Sequence, residues 1–215
     1  MEGINIKRRG GRGREATRIS LVEAAEALFA RPGVDVVTTR ELQEAAGSAN
    51  KNVVGYYFAD RAALVEAIYL HREPSMEVRR AELLEDLDAA GGTHDVARLL
   101  DALYRPFLEQ TDSNGRHSYS HFLAALHSGW AWTRLEVRVN FKVTEAIVNR
   151  IRDLASPTTD EHFQRRMSMT FALVANALRV GDDRQDDGTL RVSQLYFDAI
   201  RVGAAALAIP FGATP

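Results

Sequence analysis

Residues 38–58 read TTRELQEAAGSANKNVVGYYF, and this stretch decides how we interpret the fold. Thr38 is followed three residues later by Glu41, which is the spacing of a capping box. In that motif the threonine hydroxyl and the glutamate side chain satisfy free N–H groups at the start of a helix. We therefore predict a short helix that buries Leu42 and ends at Gly47.

A second short helix is predicted over residues 51–58, after a tight turn that contains glycine. Two such helices are typical of a helix-turn-helix, whose second helix enters the major groove of DNA. Lys51 and Asn52 are expected in its first turn, with polar groups suited to bases or phosphates, whereas Val54 and Phe58 can face the core. Helical hairpins with glycine turns are also common in protein cores, so the pattern alone leaves both interpretations open.

The rest of the chain is also predicted to be helical. Apolar residues recur with the period of an α-helix, and no segment alternates as a strand does. We expect a kink or a break at Pro74 and a kink at Pro106. The predicted fold is all-α with about nine helices. Outside the helix-turn-helix they start at Leu21 and after Asp60, and then cover residues 95–110, 117–128, 134–154, 159–180 and 192–209.

Composition excludes several classes of protein. Apolar residues make up 46% and charged residues 26% of the 215 positions, which is typical of a globular protein. No apolar run is long enough to span a bilayer, and residues 1–14 lack the apolar core of a secretory signal. The absence of cysteine excludes disulfides, cysteine-liganded zinc and thiol nucleophiles. We predict a cytoplasmic protein.

The sequence also lacks the motifs of the common enzyme classes. It contains no G-x-S-x-G, no glycine-rich phosphate loop after a strand, and no carboxylate–histidine metal motif. We therefore expect neither catalysis nor a cofactor.

Charge is distributed unevenly along the chain. The first 18 residues contain six basic and two acidic side chains, whereas residues 60–215 contain 18 basic and 22 acidic ones. A basic end on an acidic body is expected when one end meets a polyanion. A solvated tail that aids solubility is the alternative interpretation.

Three motifs together resemble the N-terminal DNA-binding domain of the TetR family of bacterial transcriptional regulators. They are LVEAAEALFARPG at 21–33, TTRELQEAAG at 38–47 and YYFADRAAL at 56–64, and the resemblance covers residues 18–68. It implies a homodimeric repressor with a three-helix DNA-binding domain and a variable helical ligand domain. The sequence departs from the common pattern of this family in two ways. Its turn and second helix are one residue longer, and Gly55 occupies a position where the family often has a tyrosine that contacts a phosphate.

The resemblance implies a set of DNA contacts. Lys51, Asn52 and Val53 are expected to face base edges, the valine through a thymine methyl group. Phosphates are expected to bind Tyr57 and the starts of two helices, where free N–H groups favour anions. The residues assigned to those helix starts are Thr38, Thr39, Arg40 and Arg61. In the alternative interpretation Thr38 is only a cap, Arg61 is merely solvated and Tyr56 belongs to the core.

We divide the chain into three predicted parts. Residues 1–16 form a flexible basic arm, which either follows the adjacent minor groove or only attracts phosphates. Residues 17–62 form the helix-turn-helix domain, and residues 63–215 form a ligand-binding and dimerisation domain.

The central part of the chain is rich in large apolar side chains, which belong to the core by default. The resemblance implies a ligand cavity there, and aromatic walls suit an apolar or aromatic effector. Binding of that effector is expected to release the repressor from a palindromic operator. The residues assigned to the cavity are Tyr104, Phe107, His121, Phe122, Trp130 and Phe141.

His117 and His121 are four residues apart, a spacing that places two imidazoles on one helix face. No third ligand follows from the sequence, so no metal site is predicted. An all-α protein that binds a small molecule or a metal, and does not bind DNA, is the alternative function.

The last two predicted helices carry apolar stripes, and the second contains the small residues Gly203 to Ala206. Small residues allow helices to approach closely, within a subunit or across a two-fold axis. The resemblance implies that these helices form a four-helix bundle with their symmetry mates. A two-fold dimer matches a palindromic operator, because it places one recognition helix at each half-site.

Overall fold

A computed structural model describes residues 6–30, 33–47, 52–92, 94–128, 141–156, 159–184 and 191–210. These ranges contain nine helices and no strand, which confirms the predicted all-α fold. None of the described helices combines the length and the apolar character needed to cross a bilayer. The helices are α1 (Ile6–Phe29), α2 (Thr39–Ala45), α3 (Val53–Tyr57), α4 (Arg61–Ala89), α5 (Val96–Glu109), α6 (Ser118–Ser128), α7 (Lys142–Leu154), α8 (Asp160–Asp183) and α9 (Val192–Ala208).

Helix α1 is longer than the sequence pattern indicates. Its C-terminal half buries Leu21, Val22, Ala25 and Phe29, the predicted apolar face. The helix also extends back to Ile6, so backbone predicted as part of a flexible arm is helical. Once a helix is nucleated, each further residue adds one hydrogen bond for one residue fixed, which favours such an extension.

Two prolines lie inside helices. Helix α4 continues through Pro74, so of the two outcomes expected there the break is wrong. Helix α5 likewise contains Pro106, which is buried. A proline removes one backbone hydrogen bond from a helix, and packing of the flanking turns can compensate for that loss. Next to Pro74 this packing is visible at Met76, which is fully buried.

The chain forms two compact units. The first comprises Met1–Glu73 and Ala125–Val139, and the second comprises Pro74–Ala124 and Asn140–Pro215. In the core of the first unit, Glu26 is fully buried and accepts two hydrogen bonds from Arg72, at 2.6 and 3.0 Å. This pair connects α1 to the first part of α4.

In the second unit, α8 and α9 lie side by side. A Cβ atom added to Gly203 would lie 2.4 Å from the Cγ2 atom of Thr170, so the two helices approach each other closely at this glycine. The small side chain predicted to allow close helix packing therefore does so within one chain.

Candidate nucleic-acid interface

The start of α2 is fixed by the predicted capping box. The backbone N–H and the hydroxyl of Thr38 both donate to Glu41 Oε2 at 2.7 Å, and the N–H of Glu41 donates to Thr38 Oγ1 at 3.2 Å. These bonds confirm the role of Thr38 as a cap. Because its hydroxyl proton is used in the cap, Thr38 meets a phosphate only by giving up that bond.

Thr39 and Arg40 are exposed in the first turn of α2. Arg40 donates from Nε to Glu44 Oε1 at 2.8 Å, and this hydrogen bond raises the pKa of Arg40. Both groups of the pair are well exposed, so the pair opens at little cost when a phosphate competes for the arginine. The phosphate contacts of Thr39 and Arg40 stay predictions.

Helix α3 is shorter than predicted and begins two residues later. Asn52 is its N-cap residue rather than part of its first turn, and Lys51 lies outside the described residues. Val53 is only 4% exposed, whereas Val54 is half-buried. The predicted contact of Val53 with a base is therefore wrong for this structure, because the side chain belongs to the core that holds the helix in place.

The exposed side of α3 carries Asn52, Gly55 and Tyr56, and we call these three residues the α3 face. Their spacing of three and four residues puts them on one side of a helix. A Cβ atom added to Gly55 would lie 2.9 Å from Asn52 Oδ1, so the asparagine carboxamide lies over the glycine. The α3 face is therefore polar, with a tyrosine at one end.

The exposure of the two tyrosines of α3 is the reverse of that expected from the sequence. Tyr56 is 59% exposed, so its predicted place in the core is wrong, and Tyr57 is half-buried. Their rings form an edge-to-face pair with centroids 4.9 Å apart. The phosphate contact predicted for Tyr57 stays a prediction, since part of its side chain remains accessible.

Two arginines of α1 stack on aromatic residues in and next to α3. The Cζ atom of Arg14 lies 5.9 Å from the centre of the Tyr56 ring, and that of Arg18 lies 5.6 Å from the centre of the Phe58 ring. Arg18 also pairs with Glu15 at 3.6 Å. Sequence reasoning did not assign either arginine to the site. The basic composition of residues 1–18 indicated the segment, but not which of its residues meets α3.

Arg61 has a role that the sequence did not predict. Its guanidinium donates to the carbonyl oxygens of Val34 and Val37, the second at 2.6 Å, and its Cζ atom lies 5.8 Å from the centre of the Phe29 ring. These two hydrogen bonds therefore hold the loop between α1 and α2 in place. The solvated alternative is therefore wrong for this structure. The predicted phosphate contact stays a prediction, because these two hydrogen bonds use only two of the five N–H groups of the guanidinium.

Of the residues predicted to line a ligand cavity, those that the structure describes lie in the second unit. Tyr104, Phe107 and Phe122 are buried, and Phe141 is half-buried as the N-cap residue of α7. Trp130 lies outside the described residues. The ring centroids of Tyr104 and Phe107 are 6.3 Å apart. Two further aromatic side chains, Tyr119 and Phe171, contact this pair with centroid distances of 5.6–6.1 Å.

The two histidines considered for a metal face Asp182 instead. His117 makes a hydrogen bond from Nδ1 to Asp182 Oδ1 at 2.7 Å and one from Nε2 to the Leu108 carbonyl oxygen at 3.1 Å, so both of its ring nitrogens are occupied. His121 is buried, with Nε2 3.5 Å from Asp182 Oδ2. In the part of the chain that the structure describes, no group of three histidine or acidic side chains is arranged to hold a metal ion.

Comparison with known proteins identifies the first of the two units. Residues 21–68 match the family described as bacterial regulatory proteins, tetR family. No curated protein matches the chain. The matched residues cover the second half of α1, all of α2 and α3, and the first eight residues of α4. Residues 21–68 thus carry the DNA-binding domain of that family, and this domain indicates a DNA-binding transcription regulator.

Proposed function

We propose that the chain is a ligand-responsive repressor that binds a palindromic operator as a homodimer. An apolar or aromatic small molecule that binds the second unit would release it. The observation that carries the DNA-binding part is the capped α2 followed by α3, which has a buried anchor at Val53 and an exposed polar face opposite.

The proposed DNA contacts follow the exposed residues of this unit. Lys51 and Asn52 read bases at the start of α3, where a recognition helix meets base edges. Thr39, Arg40 and Tyr57 hold phosphates, which fixes the orientation of the domain on the duplex. The asparagine amide can pair with adenine through two hydrogen bonds, a geometry that discriminates against other bases.

Selection of bound fragments from random duplex DNA tests this function and yields the operator. We expect one palindromic sequence to be enriched and its affinity to fall steeply with salt. Asn52→Ala should weaken operator binding by about 1–3 kcal/mol and relax specificity at one base pair. Asn149→Ala, at an exposed position of α7, is the matched control. Failure to enrich any duplex would contradict the proposal.

Exposed apolar side chains on α8 and α9 support the homodimer. They include Met169 on α8 and Phe197 and Val202 on α9. Large apolar side chains that are exposed on a helix become buried when that helix forms a protein interface. Dimerisation through these helices would give the two-fold symmetry that a palindromic operator requires, with half-sites about 34–36 Å apart or a multiple of that distance.

Light scattering tests the proposed interface. A glutamate at Val202 would be buried without a partner in the dimer, which is costly, so Val202→Glu should be monomeric. Val78→Glu, which changes an equally exposed valine on α4, should remain dimeric. A dimeric Val202→Glu with parental circular dichroism would place the interface elsewhere.

The aromatic cluster of the second unit supports an apolar or aromatic effector, because such rings offer large buried contact areas. Release requires the effector to prefer the arrangement that does not bind DNA, with a coupling of about 1–3 kcal/mol. The test is to titrate a panel of aromatic compounds while operator affinity is measured. Phe107→Ala should weaken the response to an active compound more than Phe163→Ala, which removes a buried phenylalanine that faces Arg152.

A further inference from the structure

We infer that Arg14 and Tyr56 act as one DNA-contacting unit, in which the stacked guanidinium binds a backbone phosphate beside α3. This inference rests on the proposed binding of duplex DNA through α3. It extends the DNA-contacting surface from the helix-turn-helix to α1, at a residue outside the segment that matches the family. The binding partner is the phosphate backbone, so the contact is independent of base sequence.

The geometry of the stack leaves the guanidinium able to bind. Arg14 Cζ lies 5.9 Å from the centre of the Tyr56 ring, within the range of a cation–π contact. This contact uses none of the N–H groups of the guanidinium, so two of them can donate parallel hydrogen bonds to a phosphate. Tyr56 belongs to the exposed α3 face, so a phosphate bound there lies next to the residues proposed to read bases.

Arg14 differs from the other arginines around the helix-turn-helix in the partners of its guanidinium. Arg18 pairs with Glu15, and Arg40 pairs with Glu44. Arg61 is fastened to backbone carbonyl groups. Among the side chains that the structure describes, no carboxylate lies within ion-pair distance of Arg14. Its charge is therefore available to an anion from outside the protein.

The sequence around Arg14 strengthens the attraction for a polyanion. Between Glu2 and Glu15 the chain contains five basic residues and no acidic one. The backbone of this segment is helical from Ile6 onward, so the basic residues belong to the same element as the stacked arginine. Stacking also limits the conformations of Arg14 before binding, which reduces the entropy lost when it orders on DNA.

Affinity for the selected operator, measured in full-length variants over a range of salt concentrations, tests the unit. Arg14→Ala should weaken binding about tenfold for all sequences alike and reduce the salt slope by about one. Arg14→Lys keeps the positive charge and therefore the salt slope of operator binding, but it lacks the planar guanidinium. We therefore expect an affinity between those of the parent and Arg14→Ala. Arg150→Ala, which removes an arginine on α7 that pairs with Asp88, is the charge-matched control and should bind like the parent.

A double-mutant cycle tests whether the two residues act together. In a Tyr56→Ala background the loss caused by Arg14→Ala should shrink to less than about threefold, whereas a Tyr56→Phe background keeps the ring and the full loss. Two outcomes would overturn the inference: losses of affinity that are additive in the double variant, or an Arg14→Ala variant with the affinity and salt slope of the parent. In both cases operator binding by the parent protein still supports the proposed function. If the parent enriches no duplex, the proposed function fails and this inference fails with it. Circular dichroism establishes that each variant is folded.

Discussion

Asp182 accepts two hydrogen bonds from His117, one from the backbone N–H at 2.8 Å and one from ring Nδ1 at 2.7 Å. The aspartate lies near the end of α8 and the histidine just before α6, and both side chains are buried. Since Nε2 of His117 faces the Leu108 carbonyl oxygen, both ring nitrogens of His117 face oxygen acceptors. Burial works to raise the pKa of Asp182, but the hydrogen bonds from His117 lower it below the usual value.

Removal of the charge at Asp182 should therefore destabilise the protein. Asp182→Asn would leave the His117 ring buried without its charged partner, at a cost of about 3 kcal/mol in the free energy of unfolding. Urea denaturation near pH 7 measures this difference. Asp183→Asn is the matched control, because Asp183 pairs with Arg116 at an exposed position and should cost less than about 1 kcal/mol. Equal effects of the two changes would contradict the role assigned to Asp182.

His121 should make stability depend on pH. Burial lowers the pKa of His121, against the opposing effect of Asp182, while His117, Arg116 and Arg179 lower it further. The unfolded chain then binds the proton more readily than the folded one. The free energy of unfolding should therefore fall as the pH drops from about 6.5 through the lower pKa of the folded state.

The measurement compares denaturation at pH 7.5 and pH 5.5. His121→Gln removes the titrating ring, so the difference in unfolding free energy between the two pH values should become smaller. His94→Gln changes an exposed histidine and serves as the control. A variant at position 121 that keeps the full parental difference would show that another group causes the pH dependence.

The pair of Glu26 and Arg72 should be important for the stability of the first unit. Glu26→Ala would leave the Arg72 guanidinium partly buried without its carboxylate, and we expect a loss of about 3–5 kcal/mol. Replacing both residues, as Glu26→Leu with Arg72→Met, should recover most of this loss because no charge remains buried. Glu44→Ala breaks an exposed pair and should change stability by less than about 1 kcal/mol. A double variant as unstable as the single one would refute this explanation.

Gly203 should tolerate a larger side chain only if Thr170 becomes smaller. Gly203→Ala places a methyl group 2.4 Å from Thr170 Cγ2, and we expect a loss of about 1–3 kcal/mol from the resulting shift. Thr170→Ser removes that methyl group and keeps the hydroxyl that donates to the Arg166 carbonyl at 2.9 Å. In the serine background the closest remaining atoms are Oγ at 3.2 Å and Cβ at 3.3 Å, so the loss from Gly203→Ala in thermal denaturation should become smaller. A loss as large as in the threonine background would locate the conflict in another neighbour.

The sequence predicts most of this fold because its helices depend on local signals. The capping box at Thr38 and Glu41 lies within four residues, and the structure shows the expected bonds. The apolar face from Leu21 to Phe29 repeats over more than two turns, enough for periodicity to be read. In these two cases the signal is complete within one element, and the prediction is confirmed.

The errors lie where the deciding partner is far away in sequence. Helix α3 has only five residues, so periodicity alone does not decide which of Val53 and Val54 faces the core. The exchange of Tyr56 and Tyr57 has the same cause. Arg61 binds backbone carbonyls 24 and 27 residues earlier, and carbonyl groups leave no mark in a sequence. Tertiary packing decides these positions.

The hydrogen bonds of Arg61 also determine how short a working fragment of this protein can be. The loop between α1 and α2 is fastened by a residue that follows the helix-turn-helix, so a chain truncated after α3 would contain both recognition elements but lose their spacing. A fragment that retains the full arrangement must include Arg61, and it must continue to Arg72 to keep Glu26 paired. An isolated DNA-binding fragment should therefore continue at least to Arg72, several residues beyond the segment that matches the family.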